Sequence, residues 1–219
     1  MPPVGTPLVK LYTYFRSSAA YRVRIALNLK GLPCEMVPIH LTKDGGRQLT
    51  PEFRAINPQM RVPTLALSGG EVLTQSLAII EYLDEINPEP PLLPADALDR
   101  AKVRAIAQLI ACDIHPLNNL VALRYLKRQL KREQPEIDAW YHHWVLEGFK
   151  ALETMLSPTP YACGAQVTLA DLCLVPQVYN ARRLKVRLDA FPNIVAVDAA
   201  CLKLPAFDKA RPENQPDAE

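Results

Sequence analysis

Two polar pairs stand where helices should begin, and their residue types set out the chemistry open to this chain. Ser17-Ser18 follows Leu8-Val-Lys-Leu-Tyr-Thr-Tyr14, a segment whose β-branched and aromatic residues favour a strand. Val23, Ala26, Leu27 and Lys30 then recur at helical spacing up to Gly31, a suitable residue to end the helix. A strand entering a helix through two serines places hydroxyls and backbone N–H groups at a positive helix end. That end suits an anion, whether phosphate, carboxylate or thiolate. Plain N-capping is the commonest use of such serines, so these residues alone leave the choice open. Gln75-Ser76 is a second pair of this kind, ahead of Leu77, Ile80, Leu83 and Asp84 at helical spacing.

The elements that must position these pairs change character along the chain. Glu35–Leu41 reads as a second strand, with Pro38 at an edge because proline donates no ladder hydrogen bond. Strand, helix and strand at this spacing predict a parallel pair. Pro51–Ile56 is a short helix, Arg61–Leu67 a third strand, Ser68-Gly-Gly70 a hairpin turn and Glu71–Leu73 its return. Asn87-Pro-Glu-Pro-Pro91 breaks the chain. Beyond Asp96 the strand signal disappears. Helices are expected from Leu98 to His115, stopped by Pro116, then over Leu117–Lys131 and Pro135–Leu156. Thr168 with Asp171 three residues later matches a capping box. The organisation is an α/β domain over 1–87, a linker over 88–97 and an all-α domain over 98–219, with a loose tail from Arg211.

Bulk properties narrow the partners. The chain has 219 residues, 49% hydrophobic and 22% charged, enough for a sizeable core. A net charge of +2 without a basic run interleaved with aromatics argues against nucleic acid. No segment approaches the ~18 apolar residues of a membrane span. The five cysteines are scattered, with no Cys-x-x-Cys. That pattern predicts reduced thiols in the cytoplasm and no zinc site.

The order of elements, with Val62-Pro63-Thr64 entering the third strand, resembles a thioredoxin-like βαβαββα domain. Ser17-Ser-Ala-Ala20 stands where thioredoxins carry Cys-x-x-Cys, which excludes disulfide exchange. Four blocks then extend the likeness over nearly the whole chain: Phe15-Arg-Ser-Ser-x-x-Tyr-Arg-Val-Arg-Ile-Ala-Leu27, Asn57-Pro-x-x-x-Val-Pro-Thr-Leu65, Gln75-Ser-Leu-Ala-Ile-Ile-Glu-Tyr-Leu83 and Ala170-Asp-Leu-Cys-Leu-Val-Pro-Gln177. Together they resemble the zeta-class glutathione transferases, the group of maleylacetoacetate isomerase and the bacterial maleylpyruvate isomerases.

The resemblance implies a thioredoxin-like glutathione-binding domain followed by a helical bundle that binds substrate. It implies a cis Val62–Pro63 bond, glutathione as cofactor, a homodimer, and a small dicarboxylic acid as substrate. Ser17, with Ser18 and Arg16, takes the catalytic place, one serine capping the helix while the other faces the sulfur. Val62 would meet the cysteinyl main chain, and Gln75 and Ser76 the γ-glutamyl carboxylate. Gln48, His115 and Asn119 are further glutathione contacts, the last two one helical turn apart if the helix survives Pro116. Arg16 and Arg183 would face the acidic substrate, arginine being suited to bidentate carboxylate binding, whereas Arg22, Arg24 and Arg182 read as surface or ion-paired residues.

The implied reaction is conversion of maleylacetoacetate to fumarylacetoacetate, in aromatic amino-acid catabolism, by thiolate addition, bond rotation and elimination. Maleylpyruvate isomerisation, general conjugation of acidic electrophiles and a non-catalytic binding module are the alternatives. Leu120-Val121 stands where the maleylpyruvate isomerases carry two arginines, which favours maleylacetoacetate. Ala19 replaces the family's frequent cysteine and Tyr21 its usual tryptophan.

Overall fold

The computed structural model describes residues 9–219; Leu8, placed in the first strand by its sequence, lies outside them. The chain divides into two compact units, one running up to Pro90 and joined by Pro205–Glu219, the other Pro91–Leu204.

The first unit is built on a sheet of four strands in the order β2-β1-β3-β4. Strand β1 (Val9–Thr13) pairs parallel with β2 (Cys34–Pro38) and antiparallel with β3 (Thr64–Ala66), which pairs antiparallel with β4 (Val72–Thr74). Pro38 ends the edge strand β2, as its missing donor requires. Helix α1 (Ser18–Leu29) follows β1, α2 (Pro51–Ile56) follows β2, and α3 (Ser76–Ile86) follows β4. Every residue of α1 from Ala20 to Leu27 is buried, because α1 is covered by α3 as well as by the short helix α10 (Pro205–Ala210). At the far end of this unit, Lys30 Nζ uses all three of its donors, on Asp84 Oδ1, Asn87 O and Pro90 O, each at 2.6 Å.

The return of Pro205–Glu219 to the first unit corrects its assignment to the helical domain, and burial of Pro212 together with the Phe15 N–Asp217 bond corrects the loose tail expected from Arg211. Phe207, Ala210 and Pro212 are buried. Tyr21 Oη donates to Phe207 O, Asn28 Nδ2 to Ala206 O and Arg24 Nε to Ala210 O. The polar groups of α1 need acceptors where the sheet provides none, and the returning chain supplies them.

The second unit is helical: α4 (Ala97–Gln108), a π-helical segment (Leu109–Ile114), α5 (His115–Asn118), α6 (Leu120–Arg128), α7 (Gln134–Met155), α8 (Leu169–Arg183) and α9 (Pro192–Cys201). Helix α8 is buried from Leu169 to Val178 and packs on α4 and α9. Its capping box is formed: Asp171 Oδ2 accepts from Thr168 N at 2.8 Å and Oδ1 from Ala162 N at 2.7 Å.

Pro116 does not stop the first helix. The π segment just before it shifts the hydrogen-bond register, so the missing N–H of Pro116 falls where the α ladder is already interrupted. The break comes at Asn119, whose extended backbone caps α6. As a consequence Ala97–Arg128 is long and apolar enough, by length and composition alone, to cross a membrane, contrary to the expectation that no segment approaches such a span. The break at Asn119 inside it marks helices of a bundle.

Candidate active site

Strand register gathers the first unit's expected site residues. Tyr12 pairs with Thr64, and Thr64 with Thr74. The end of β1 therefore lies beside the start of β3 and the end of β4. Ser17 follows the first, Val62 precedes the second and Gln75-Ser76 follows the third. Strand β2 runs parallel to β1, so the loop that carries Gln48 leaves from the same end of the sheet. Sequence positions up to sixty residues apart thus share one sheet end because of strand direction alone.

Ser17 is the N-cap of α1: its Oγ accepts from Ala20 N at 3.2 Å, and it is half-buried. An oxygen that accepts from the backbone keeps its own proton to donate. Ser18, the first residue of the helix, is 4% exposed. Capping thus falls on Ser17, which is also the more exposed of the two serines. No acidic side chain occupies the first turn of α1, which leaves the helix end positive. Arg16 is exposed, its guanidinium carbon 4.8 Å from the centre of the Phe15 ring.

Arg22 and Arg24, read as surface or ion-paired residues, are each 1% exposed, which excludes the surface alternative. Arg22 Nη1 donates to Ser76 Oγ at 3.2 Å. The guanidinium can only donate, so Ser76 likewise retains its proton for an anion at the start of α3. Gln75 adopts φ +68°, a left-handed conformation rare for a side chain other than glycine or asparagine, and strain of this kind concentrates at functional sites. Its Nε2 donates to Gln59 Oε1 at 3.0 Å. Gln59 N donates to Asn57 Oδ1, and the buried Asn57 Nδ2 donates to Arg61 O and Thr64 Oγ1, both at 2.9 Å. This chain of bonds ties Gln75 to the loop of Val62, whose bond to Pro63 is cis as the resemblance implies.

Gln48 is 5% exposed and lies against Gly46, which takes φ +106°. Its Nε2 donates to Leu41 O at 3.3 Å, while Oε1 is buried with no hydrogen-bond partner among the described residues. A buried amide oxygen without a donor fits a residue that meets a polar ligand.

The other expected residues belong to the helical unit. His115 begins α5 and is half-buried. Asn119 is the N-cap of α6, its Oδ1 accepting from Val121 N at 2.8 Å and Ala122 N at 3.2 Å. The two residues are not on one continuous turn, because the backbone breaks at Asn119, although its amide nitrogen remains a donor. Arg183 ends α8, exposed, and its charge opposes the burial that pushes the Tyr141 phenol up to about 12. Arg182 is bound to the buried Asp198. A cavity of about 590 Å³ in this unit, bordered by Pro94, Lys102, Met155 and Cys163, contains none of the expected site residues. No group of three or more potential metal ligands occurs among the described residues.

Arg22, Arg24, Asn57 and Gln59 were not singled out as organisers of the site. A signal exists for the arginines: α1 is apolar on every side from Ala20 to Leu27 apart from them, so both had to be buried and to find internal acceptors.

Comparison with known proteins agrees with this geometry. Residues 11–91 match the family described as Glutathione S-transferase, N-terminal domain, and residues 144–197 the corresponding C-terminal domain. Maleylacetoacetate isomerase of Pseudomonas aeruginosa is 48% identical over 209 residues, covering 95% of this chain and 98% of its own. A solved structure described as the holo form of maleylpyruvate isomerase, a bacterial zeta-class glutathione transferase, superposes with TM-score 0.91 at 48% identity, covering 96% of this chain and 100% of that one. Maleylacetoacetate isomerase of Methylobacterium extorquens AM1, solved with malonate and glutathione bound, gives TM-score 0.91 at 39% identity over 96% of this chain and 99% of that one. The chain belongs to the glutathione S-transferase family, and within it to the zeta-class branch of maleylacetoacetate and maleylpyruvate isomerases.

Proposed function

We propose that this chain is a glutathione-dependent cis–trans isomerase that converts maleylacetoacetate to fumarylacetoacetate. The observation that carries the reading is the convergence of Ser17, Val62, Gln75-Ser76 and Gln48 at one end of the sheet, in a chain 48% identical to a maleylacetoacetate isomerase over almost its whole length. Glutathione, when bound, supplies a thiolate that adds reversibly to the cis alkene and so frees the bond to rotate.

The chain's own groups prepare that chemistry. Ser17 donates its hydroxyl to the sulfur at the positive start of α1, and both favour the thiolate over the thiol. Ser76, backed by Arg22, and Gln75 hold the γ-glutamyl carboxylate at the start of α3. Val62 offers its main chain to the cysteinyl residue and Gln48 its buried amide oxygen to a donor. His115 and Asn119 are assigned to glutathione by the family resemblance alone. Arg16 and Arg183 bind the carboxylates of the acid and offset negative charge where it develops. Ser18 stays in the first turn of α1 with a packing role. Ala19 leaves no second thiol in this stretch, so addition depends on glutathione alone.

Maleylpyruvate isomerisation is the second reading, supported by the 48% identity to a maleylpyruvate isomerase structure. The apolar Leu120-Val121 at the start of α6 weighs against it. A spectrophotometric assay of both cis acids, with and without glutathione, separates the two. Turnover of maleylacetoacetate that requires glutathione supports the first reading, and turnover of maleylpyruvate alone replaces it. We further propose a homodimer in the cytoplasm. Val121 and Tyr125, 54% and 57% exposed and one turn apart on α6, supply an apolar face for a second copy. Five free cysteines fit a reducing compartment.

A further inference from the structure

The segment that delivers Ser17 to its place makes few bonds of its own. Tyr14 and Phe15 are 6% and 3% exposed, beyond the end of β1 and before the start of α1, so their backbone groups need partners from elsewhere. Tyr14 O accepts from Ser17 N at 2.9 Å and from Arg24 Nη1 at 3.3 Å, and Phe15 O accepts from Arg24 Nη2 at 3.1 Å. Phe15 N donates to Asp217 Oδ2 at 3.0 Å, a bond spanning 202 residues of sequence. Arg24 Nε is in turn held by Ala210 O at 3.1 Å. The two residues ahead of Arg16-Ser17 are thus gripped from inside by a buried guanidinium and from outside by a carboxylate on the returning chain.

We propose that Asp217 is a positioning residue for Ser17. It touches no reacting atom; it fixes the peptide of Phe15, and with it the backbone that sets the direction of the Ser17 hydroxyl. The inference rests on the reading of Ser17 as the thiol-facing donor. Its physical content is a hydrogen bond and not a charge. A carboxylate near the start of α1 opposes a thiolate electrostatically, so its presence there is explained by the N–H it accepts. A displacement of a catalytic group by about 1 Å is enough to lower rates by up to about a hundredfold.

The test uses the full chain and four proteins: the unsubstituted enzyme, Asp217→Asn, Asp217→Ala and Ser17→Ala. The thiolate absorbance of bound glutathione is titrated against pH for each, alongside kcat/KM and thermal melting. Asp217→Asn keeps an acceptor oxygen and removes an opposing charge, so its thiol titrates no higher than in the unsubstituted enzyme and its kcat/KM stays within about twofold. Asp217→Ala moves the titration to higher pH, in the same direction as Ser17→Ala, and lowers kcat/KM by about three- to tenfold. A lower melting temperature for Asp217→Ala with an unmoved thiol titration and unchanged kcat would reduce Asp217 to a structural role and overturn the inference. Equal impairment of Asp217→Asn and Asp217→Ala would overturn it too, by showing that an acceptor for Phe15 N is not what the enzyme needs at this position. If Ser17→Ala titrates like the unsubstituted enzyme, the Ser17 reading itself fails; if only Asp217→Ala does, that reading stands and this inference alone falls.

Discussion

Ser17 must do more than cap a helix if the thiol of glutathione is to be ionised near neutral pH. A free cysteine thiol has a pKa of ~8.5, and lowering it by ~2 units takes ~2.7 kcal/mol of preferential thiolate stabilisation. A helix end contributes about 0.3–1 kcal/mol at an exposed site, whereas a hydrogen bond to a charged group is worth about 1.5–3 kcal/mol. The hydroxyl therefore outweighs the dipole. Replacing Ser17 by Ala is expected to raise the apparent pKa of the bound thiol by about one unit or more, read from the pH profile of kcat/KM. Loss of the cap costs about 1 kcal/mol of stability in the same variant. Ser17→Thr, which keeps hydroxyl and cap, should restore both, and a Thr variant as impaired as the Ala one would show that the hydroxyl is not the agent.

The protein's own thiols behave differently. Burial pushes Cys34 and Cys163 each up to about 11 and Cys201 higher still, with Asp171 adding to the shift at Cys201, while Cys173 is fully buried. Groups raised this far stay neutral, unreactive thiols around pH 7–8. Cys112, the exposed one, is expected to take up a thiol reagent first. Peptide mapping after limited labelling checks this, and early labelling of Cys163 would contradict it. At this scale the serines and Gln75-Ser76 were legible because each precedes a clear helical period. The burial of Arg22 and Arg24 was missed because charge suggests surface unless the whole face around it is weighed.

Helix boundaries carry the next level of consequence. Asn119 both caps α6 and keeps an amide nitrogen to donate, and the two roles separate by substitution. Asn119→Asp retains the acceptor for Val121 and Ala122 and should melt like the parent while binding glutathione more weakly. Asn119→Ala loses the cap as well, at about 1 kcal/mol. Equal melting losses in the two variants would remove the capping role. The start of α8 is less forgiving. Asp171 is 0% exposed, and burial holds its carboxyl above the usual range although Ala162 and Thr168 donate to it. Asp171→Ala leaves two buried N–H groups without acceptors, at about 1–3 kcal/mol each, out of a typical total stability of 5–15 kcal/mol. Urea unfolding should show a loss of about 2–6 kcal/mol; a loss under about 1 kcal/mol would mean that the loop finds other acceptors. The capping box was readable because its partners are three residues apart. The break at Asn119 was not, since nothing local shows that a π segment ahead of Pro116 lets the helix run past it.

For the molecule as a whole, the sequence specifies most where contacts are short-range. The succession of strands and helices, the hairpin at Gly70 and the all-helical second half follow from periodicity and turn residues. What periodicity could not show is the return of Pro205–Glu219 to the first unit, because its bonds to Phe15, Tyr21 and Arg24 span 186 to 202 residues. A proline-rich, polar ending resembles a loose tail until the unmet acceptor needs of α1 are counted. The apolar face of α6 leads to a further expectation: Tyr125→Glu should shift the protein to monomer in analytical ultracentrifugation, and an unchanged mass would place the subunit contact elsewhere.

The claim that joins these scales is that the sheet end built by Ser17, Val62, Gln75 and Ser76 serves one cofactor thiol and one small unsaturated acid. The direct test is conversion of maleylacetoacetate followed by absorbance, with and without glutathione. Isomerisation to the trans acid is expected only when glutathione is present, with no net consumption of its thiol. Isomerisation at the same rate without glutathione, or loss of the thiol in step with product, would contradict the account.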